Sequence, residues 1–403
     1  MKILMIAPQP FFEPRGTPIS CYQRLEALSA LGHEVDLLTY HVGKDVSFPN
    51  MRIMRVPKIG FIKHVRIGPS RAKILLDFLL FWKALWRLMW HRYDVIHSHE
   101  EASFFSVPLA LLFRKRHLYD MHSVLSRQLG NFSFGNHAVF VRLFETLENW
   151  VLRSSDAIIT VASDLEQYVR KVNPQARVVK IENIALQAFQ THIQPETVEQ
   201  LRESLDLDGK VTIVYTGTYE RYQGLEMMLE CIHQVRKEVP NVMFLFLGAK
   251  RKQGDIWRGK AREAGVEDCS LFLDAVPPEE SMVYLACADV LISPRIEGTT
   301  IPLKIYSYLH SGKPIVATNL SAHTQVLNTD IAYLVEPNAR SFAAGILDIL
   351  RNPAIGACLA ANAHAFAHEN FSYENYRASV AQIYRYLAGI PESELPPAWQ
   401  KID

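Results

Sequence analysis

Short runs of aliphatic and β-branched residues recur along this chain, separated by stretches whose apolar spacing is helical. In the first half the runs are KILMIAP, EVDLLTY, MRIMRVP, DVIHSH, HLYDMHS, DAIITV and VVKIEN. In the second half they are VTIVYTG, MFLFLG, CSLFLD, ADVLIS, PIVAT and AYLVEP. Near-continuous apolar strands alternating with helices predict parallel sheets covered on both faces. Two Rossmann-like halves account for the pattern, residues 1–190 and 207–372. A looser polar stretch from about Leu186 to Gly209 reads as the linker. A last helix, roughly Tyr373 to Gly389, has no strand after it.

In open α/β sheets ligands bind outside the carboxyl ends of the strands, so the residues just after each run carry the chemistry. The most informative is SPRIEGTTIPLKIYSYLHSGKPIVAT, Ser293 to Thr318. Pro302 suits a first helical turn and Gly312 a stop, so a helix is predicted to start beside the Gly298-Thr299-Thr300 loop. Unpaired N–H groups at such a start attract phosphate, and Lys304 adds a cation. The run VTIVYTG leads into a loop with Gly217, Arg221 and Gly224 before a helix, a second anion candidate. Lys250, Arg251 and Lys252 follow the next strand, as a basic edge or as a solvated face.

The first half offers softer candidates. After the first strand, Arg15, Gly16 and Thr17 precede a helix, either as a ligand loop or as a bare helix cap. A single glycine there, where G-x-G-x-x-G is wanted, argues against a nicotinamide cofactor. His97, His99, Glu100 and Glu101 end the fourth strand, and His122 ends the fifth. Alternation puts His97 and His99 on one face, but no third ligand cluster is evident, so polar lining is preferred to a metal.

Composition narrows the class further. The 403 residues exceed one ordinary core, and 49% hydrophobic with 21% charged residues fits a folded protein. A net charge of +1 excludes a general electrostatic binder of nucleic acid. Five cysteines without a CxxC pair read as reduced core thiols of a cytoplasmic protein.

One segment breaks the even charge. From Met51 to Arg92 there are ten Lys or Arg and one acid, Asp77. Trp82, Trp86 and Trp90 form one helical stripe, with Lys73, Asp77, Arg87 and His91 on another face. Two readings stand: a helix docked on an anionic membrane surface, or a helix with its tryptophans in the core.

The TGTYERYQGLEMML, LFLDAVPPEESMVYLACADVLISP and EG…P…SGKPIVAT blocks resemble the family-four, group-one glycosyltransferases of the two-domain GT-B fold. IAP…GTP…LSALGHEVDLLT and YDVIHSHE add softer likenesses in the first half. The resemblance implies two Rossmann-like domains facing across a cleft, the donor mainly on the second and the acceptor mainly on the first. The last segment, 373–403, would cross back to the first domain.

It implies retaining, metal-independent transfer of a hexose from a nucleotide-diphosphate sugar, with no other cofactor, to a glycan or lipid-linked cell-envelope acceptor. Location would be cytoplasmic, with segment 51–92 available for the inner membrane face.

Carried over by position, Glu297 faces the donor, Gly298, Thr299 and Thr300 offer N–H groups to the diphosphate, and Val276 lies near the base. His122 matches the histidine under the donor sugar, with Glu297 the other catalytic candidate. Gly217, Arg221, Gly224, Lys250 and Lys304 complete the donor set, and Arg15, Gly16, Thr17, His99 and Glu100 the acceptor set.

Two departures stand out. The second glutamate of the motif is replaced by Ile305 or Ser307, depending on the count, and the usual lysine before Gly224 is Gln223. Arg221, Lys250 and Lys304 are the candidate replacements for that charge. Two alternatives remain open: a nucleotide-sugar epimerase using Glu100 and Glu101, and a non-catalytic nucleotide-sugar-binding subunit.

Overall fold

The computed structural model describes residues 1–12, 16–65, 70–126, 138–185, 193–250 and 253–390. All thirteen apolar runs are strands. Seven make one sheet: β1 (Lys2–Ala7), β2 (Glu34–Thr39), β3 (Met51–Arg55), β4 (Val95–His99), β5 (Arg116–Met121), β6 (Ala157–Thr160) and β7 (Val178–Lys180). Six make another: β8 (Val211–Thr216), β9 (Val242–Ala249), β10 (Ser270–Asp274), β11 (Val290–Ser293), β12 (Ile315–Thr318) and β13 (Tyr333–Val335). The orders are β3-β2-β1-β4-β5-β6-β7 and β10-β9-β8-β11-β12-β13, with parallel pairing throughout.

Both orders reverse direction in the middle, between β1 and β4 and between β8 and β11. At such a switch point the flanking connections run to opposite faces, which opens a crevice at the strands' carboxyl ends. The Gly16 loop and His99-Glu100 lie at the first, and the Gly217 and Ser293–Thr300 loops at the second.

The chain divides into two compact units, Met1–Asn183 with the chain from Glu374 on, and Ile184–Tyr373. The helix Tyr373–Leu387 belongs to the first unit and buries Tyr376, Val380, Ile383, Tyr384 and Leu387, a helical stripe. The stretch read as linker carries a helix, Pro195–Ser204, started by its proline. Arg202 ties that helix to the second unit by donating to the carbonyls of Cys287 (3.0 Å) and Leu207 (2.8 Å). Polar composition concealed it, because the helix has no buried residue. Of the cysteines, Cys21, Cys231, Cys269 and Cys287 are buried thiols, whereas Cys358 is exposed and departs from the core reading.

The helix Arg71–Trp90 settles one alternative. Leu76, Leu80, Ala84 and Leu88, four residues apart, form its ridge into the core. The tryptophans are outside, with Trp82 and Trp86 51% and Trp90 70% exposed, so the core reading is overturned. The helix's charges point inward instead. The Tyr40 hydroxyl donates to Asp77 (2.5 Å), Arg87 pairs with Asp36 (2.6 Å), and Lys73 pairs with Glu101.

Candidate active site

In the second unit the loops after β8 and β11 are locked together. Gly224 has φ +77° and begins the helix Leu225–Glu238; a Cβ there would lie 2.0 Å from the Pro294 carbonyl oxygen. Ile296 N–H donates to the Tyr222 carbonyl at 3.0 Å. Gly224 is therefore required for packing, and its own N–H is taken by the Arg221 carbonyl at 3.1 Å. Gly224→Ala is expected to cost about 3 kcal/mol, from left-handed backbone and overpacking. A lowered Tm in thermal unfolding, with β8–β11 loop amides losing exchange protection, would register it. An unchanged Tm would show that the two loops part without cost.

Two cations sit where these loops meet. Lys304 Nζ lies 3.7 Å from the centre of the Tyr215 ring and donates to Gln223 Oε1 at 3.4 Å. A Cβ on Gly217 would come within 3.2 Å of that ammonium, so glycine leaves the space in front of it clear. Arg295 stacks on the Tyr222 ring at 4.9 Å. It also donates to the carbonyls of Glu297 (2.6 Å) and Thr300 (2.8 Å), which wraps the loop around its guanidinium.

Burial pushes the Lys304 ammonium well below its ordinary pKa, and the nearby Arg295 charge pushes the same way. Burial likewise lowers Arg295. Neither pairs with a carboxylate among the described residues. Adjacent cations with no counter-ion make a site for an anion.

The loop Glu297 to Thr300 is exposed, and Gly298 takes φ +100° with Arg295 against its Cα. The helix that follows spans Lys304–His310 and starts two residues later than Pro302 implied, with Leu303 as its N-cap. Because Pro302 accepts only the tight Ile305 N–H bond (3.0 Å), regular helix begins at Lys304. The anion-attracting element is thus the cation pair and not the start of this short helix. Lys250 is exposed, with Arg251 and Lys252 outside the described residues, and Val276 is half-buried after β10. Arg221 is exposed and lines a shallow pocket of about 270 Å³ with Glu226 and Trp257. Ile305 is fully buried in the core, whereas Ser307 is half-buried.

In the first unit a buried ionic network lies beneath His122. The Arg24 guanidinium donates to Asp120 Oδ2 (3.0 Å), the Tyr376 hydroxyl (2.5 Å) and the Ile181 carbonyl (3.0 Å). Burial would raise the Asp120 carboxyl, but Arg24 and the surrounding histidines hold it well below the carboxylate range. His97 shares a hydrogen bond with the Tyr384 hydroxyl (2.7 Å), and its Nε2 lies 3.4 Å from Asp120. His122 Nε2 lies 3.2 Å from Asp120 Oδ1 and 3.1 Å from His99 Nδ1. Burial lowers His97 and His99 and takes His122 down to about 4, so these rings are neutral at neutral pH.

His99, expected at the acceptor, is fully buried behind His122 and touches no open surface. The reason is the strand itself: β4 is central, and residues 97 and 99 both face the interior. Glu100 holds φ +47° and accepts from the Ser123 hydroxyl at 3.0 Å. Burial and the Glu101 charge raise its carboxyl to about 8. Gly16 opens the helix Gly16–Ala30 and is exposed, Thr17 is half-buried, and Arg15 lies outside the described residues.

His97, His99 and Asp120 bring three donor atoms within 4.8 Å of one another. They do not fit a cation, because the Arg24 guanidinium already neutralises the carboxylate that would have to bind it. Sequence reasoning missed Arg295, Tyr215, Arg24, Asp120, Tyr376 and Tyr384. Asp120 alone had a signal, standing two residues before His122 on the same strand face.

Comparison with known proteins agrees with this architecture. The signature described as Glycosyltransferase Family 4 matches residues 14–184, and that described as Glycosyl transferases group 1 matches residues 210–352. The phosphatidyl-myo-inositol mannosyltransferase of Mycobacterium tuberculosis is 22% identical over 96% of this chain and 98% of its own length. Among solved structures, the sucrose-phosphate synthase of Thermosynechococcus elongatus superposes with a TM-score of 0.77 at 20% identity, covering 97% of this chain and 100% of that one. HepE of Anabaena in complex with UDP-glucose gives 0.71 at 16% identity, covering 96% and 100%. With two parallel sheets, two units and family signatures over both, the chain belongs to the group-one glycosyltransferases of the GT-B fold.

Proposed function

We propose that this enzyme transfers a hexose from a nucleotide-diphosphate sugar to a lipid-linked or other cell-envelope glycan acceptor, with retention and without a metal. The observation that carries the reading is the uncompensated pair Lys304 and Arg295 at the β8/β11 switch point. Charge gathering on the departing diphosphate would be stabilised there by preorganised cations, which is where electrostatic catalysis gains most. In this reading no protein nucleophile takes part. The acceptor hydroxyl would attack from the side the diphosphate leaves, passing its proton to a leaving phosphate oxygen.

His122 would lie under the donor sugar and Glu297 beside it; Gly16, Thr17 and Glu100 would meet the acceptor. The HepE complex with UDP-glucose supports the donor class, and the mannosyltransferase relative supports a lipid acceptor. No single helix among the described residues is long and apolar enough to cross a membrane. The exposed tryptophan face of Arg71–Trp90 is our basis for a peripheral site on the inner membrane surface.

A panel of nucleotide sugars tested by thermal shift and by product formation decides the donor. At a hundredfold excess over Kd, about 2.7 kcal/mol of stabilisation is expected from the true donor. Glu297→Ala should lose turnover while still binding nucleoside diphosphate. Full turnover in that variant would remove Glu297 from the site.

A further inference from the structure

The C-terminal helix puts two tyrosines into the network under His122, and the protons of that network have one arrangement that avoids stranding a charge. Asp120 is ionised, fully buried and held by Arg24 through Oδ2. Its other oxygen, Oδ1, has no hydrogen-bond partner except the His122 Nε2 position 3.2 Å away, where the ring is not yet aligned. His122 Nε2 also lies 3.1 Å from His99 Nδ1, and one proton must sit between them.

If His99 held that proton, a lone pair of His122 would face Asp120 Oδ1, and that oxygen would have no donor. If His122 holds it on Nε2, the N–H lies between two acceptors, Asp120 Oδ1 and His99 Nδ1. His99 then carries its own proton on Nε2, a buried N–H without a partner, and that cost is smaller than leaving an oxygen of the ionised Asp120 with no donor. His122 Nδ1 has no partner among the described residues and is not among the fully enclosed atoms.

We infer that Asp120 and the tyrosines of the C-terminal helix are positioning residues that lock His122 as the Nε2–H tautomer, presenting Nδ1 as a hydrogen-bond acceptor for a hydroxyl of the donor sugar. The helix acts at two points. Tyr376 accepts from Arg24 at 2.5 Å and so fixes the cation that holds Asp120. Tyr384 bonds to His97 Nδ1 at 2.7 Å, which turns the opposite nitrogen of His97 toward Asp120 as an N–H. The result is a carboxylate held by Arg24 and faced by the His97 and His122 rings at 3.4 and 3.2 Å, with His122 Nδ1 left as an acceptor.

The sugar contact rests on the proposed function; the tautomer does not. The test is nitrogen-15 NMR of the histidine rings in the full chain, with His122 assigned from the signal lost in His122→Gln. Between pH 6 and 8 the expected state is neutral, with Nε2 protonated and Nδ1 bare. In Asp120→Asn the two tautomers should mix, and in Tyr384→Phe the ratio should move the same way by less. An Nδ1-protonated ring in the native chain would overturn the inference, as would an unmoved ring in both variants. Should Asp120→Asn fail to fold, Tyr384→Phe decides alone.

Kinetics separate this from the functional reading. Tyr384→Phe should lower kcat roughly tenfold with little change in donor KM, as expected for one lost orienting hydrogen bond. If His122→Gln transfers sugar at the native rate while the tautomer is as stated, the sugar contact fails and the positioning device stands.

Discussion

Replacing Lys304 by glutamine is expected to lower kcat/KM by about a hundredfold to a thousandfold, the usual loss when one preorganised group facing developing charge is removed. The argument begins with a deficit. The loop after β8 carries Gln223 where the family resemblance implies a lysine, and its arginine, Arg221, is exposed. The structure offers one source for that charge. Lys304 reaches across from the start of its helix, rests on the Tyr215 ring and touches Gln223 Oε1. The ammonium thus lies against residue 223 itself, delivered from a different element.

A charge swap tests this directly. Gln223→Lys alone should impair the enzyme, since two ammonium groups would compete for one partly buried position. Gln223→Lys combined with Lys304→Gln should recover a substantial part of the activity lost in Lys304→Gln. Steady-state rates with the donor identified from the panel are the measurement. Native rates in Lys304→Gln, or no recovery in the double variant, would break the assignment. Lys304 is partly buried against aromatic surface, so removing its charge should not lower Tm.

Much of this was legible beforehand, for definite reasons. Parallel strands buried on both faces leave long apolar runs, and every such run proved to be a strand. The loops after β8 and β11 also stood out, because glycines and cations at strand ends mark candidate anion sites. What escaped was pairing between distant residues. Arg24 sits in an apolar helix and reads as an accident until Asp120, 96 positions away, is placed against it. Tyr384 and His97 are separated by 287 residues, beyond the reach of any local pattern. His99 was misread for a related reason: alternation gives the face of a strand but not how deep that strand lies.

Changing Trp82 and Trp86 together to serine is expected to weaken binding to anionic vesicles about thirtyfold without lowering Tm. In a water-soluble domain the charged face of a helix points outward, and here it is turned inward. Asp77, Arg87 and Lys73 are satisfied by Tyr40, Asp36 and Glu101, while Ile74, Phe78, Trp82, Trp86, Met89 and Trp90 are exposed. The neighbouring helix Ser103–Phe113 extends this surface with exposed Leu111 and Leu112. Lys58, Lys63, Arg92 and Arg114 are exposed on the adjoining segments.

Aromatic side chains rimmed by free cations match the boundary between headgroups and acyl chains, where indole rings favour the interface and anionic lipid draws the cations. Each half-exposed tryptophan has about 1 kcal/mol of further burial to gain, which for two gives the stated factor. Co-sedimentation with anionic and with neutral vesicles, at low and high salt, is the measurement. Binding to anionic vesicles should fall as salt rises, because the free cations supply the long-range part. Equal binding to neutral vesicles would remove the cations from the account. Absence of vesicle binding, together with concentration-dependent dimerisation lost in the serine variant, would assign the same face to a second copy of the chain.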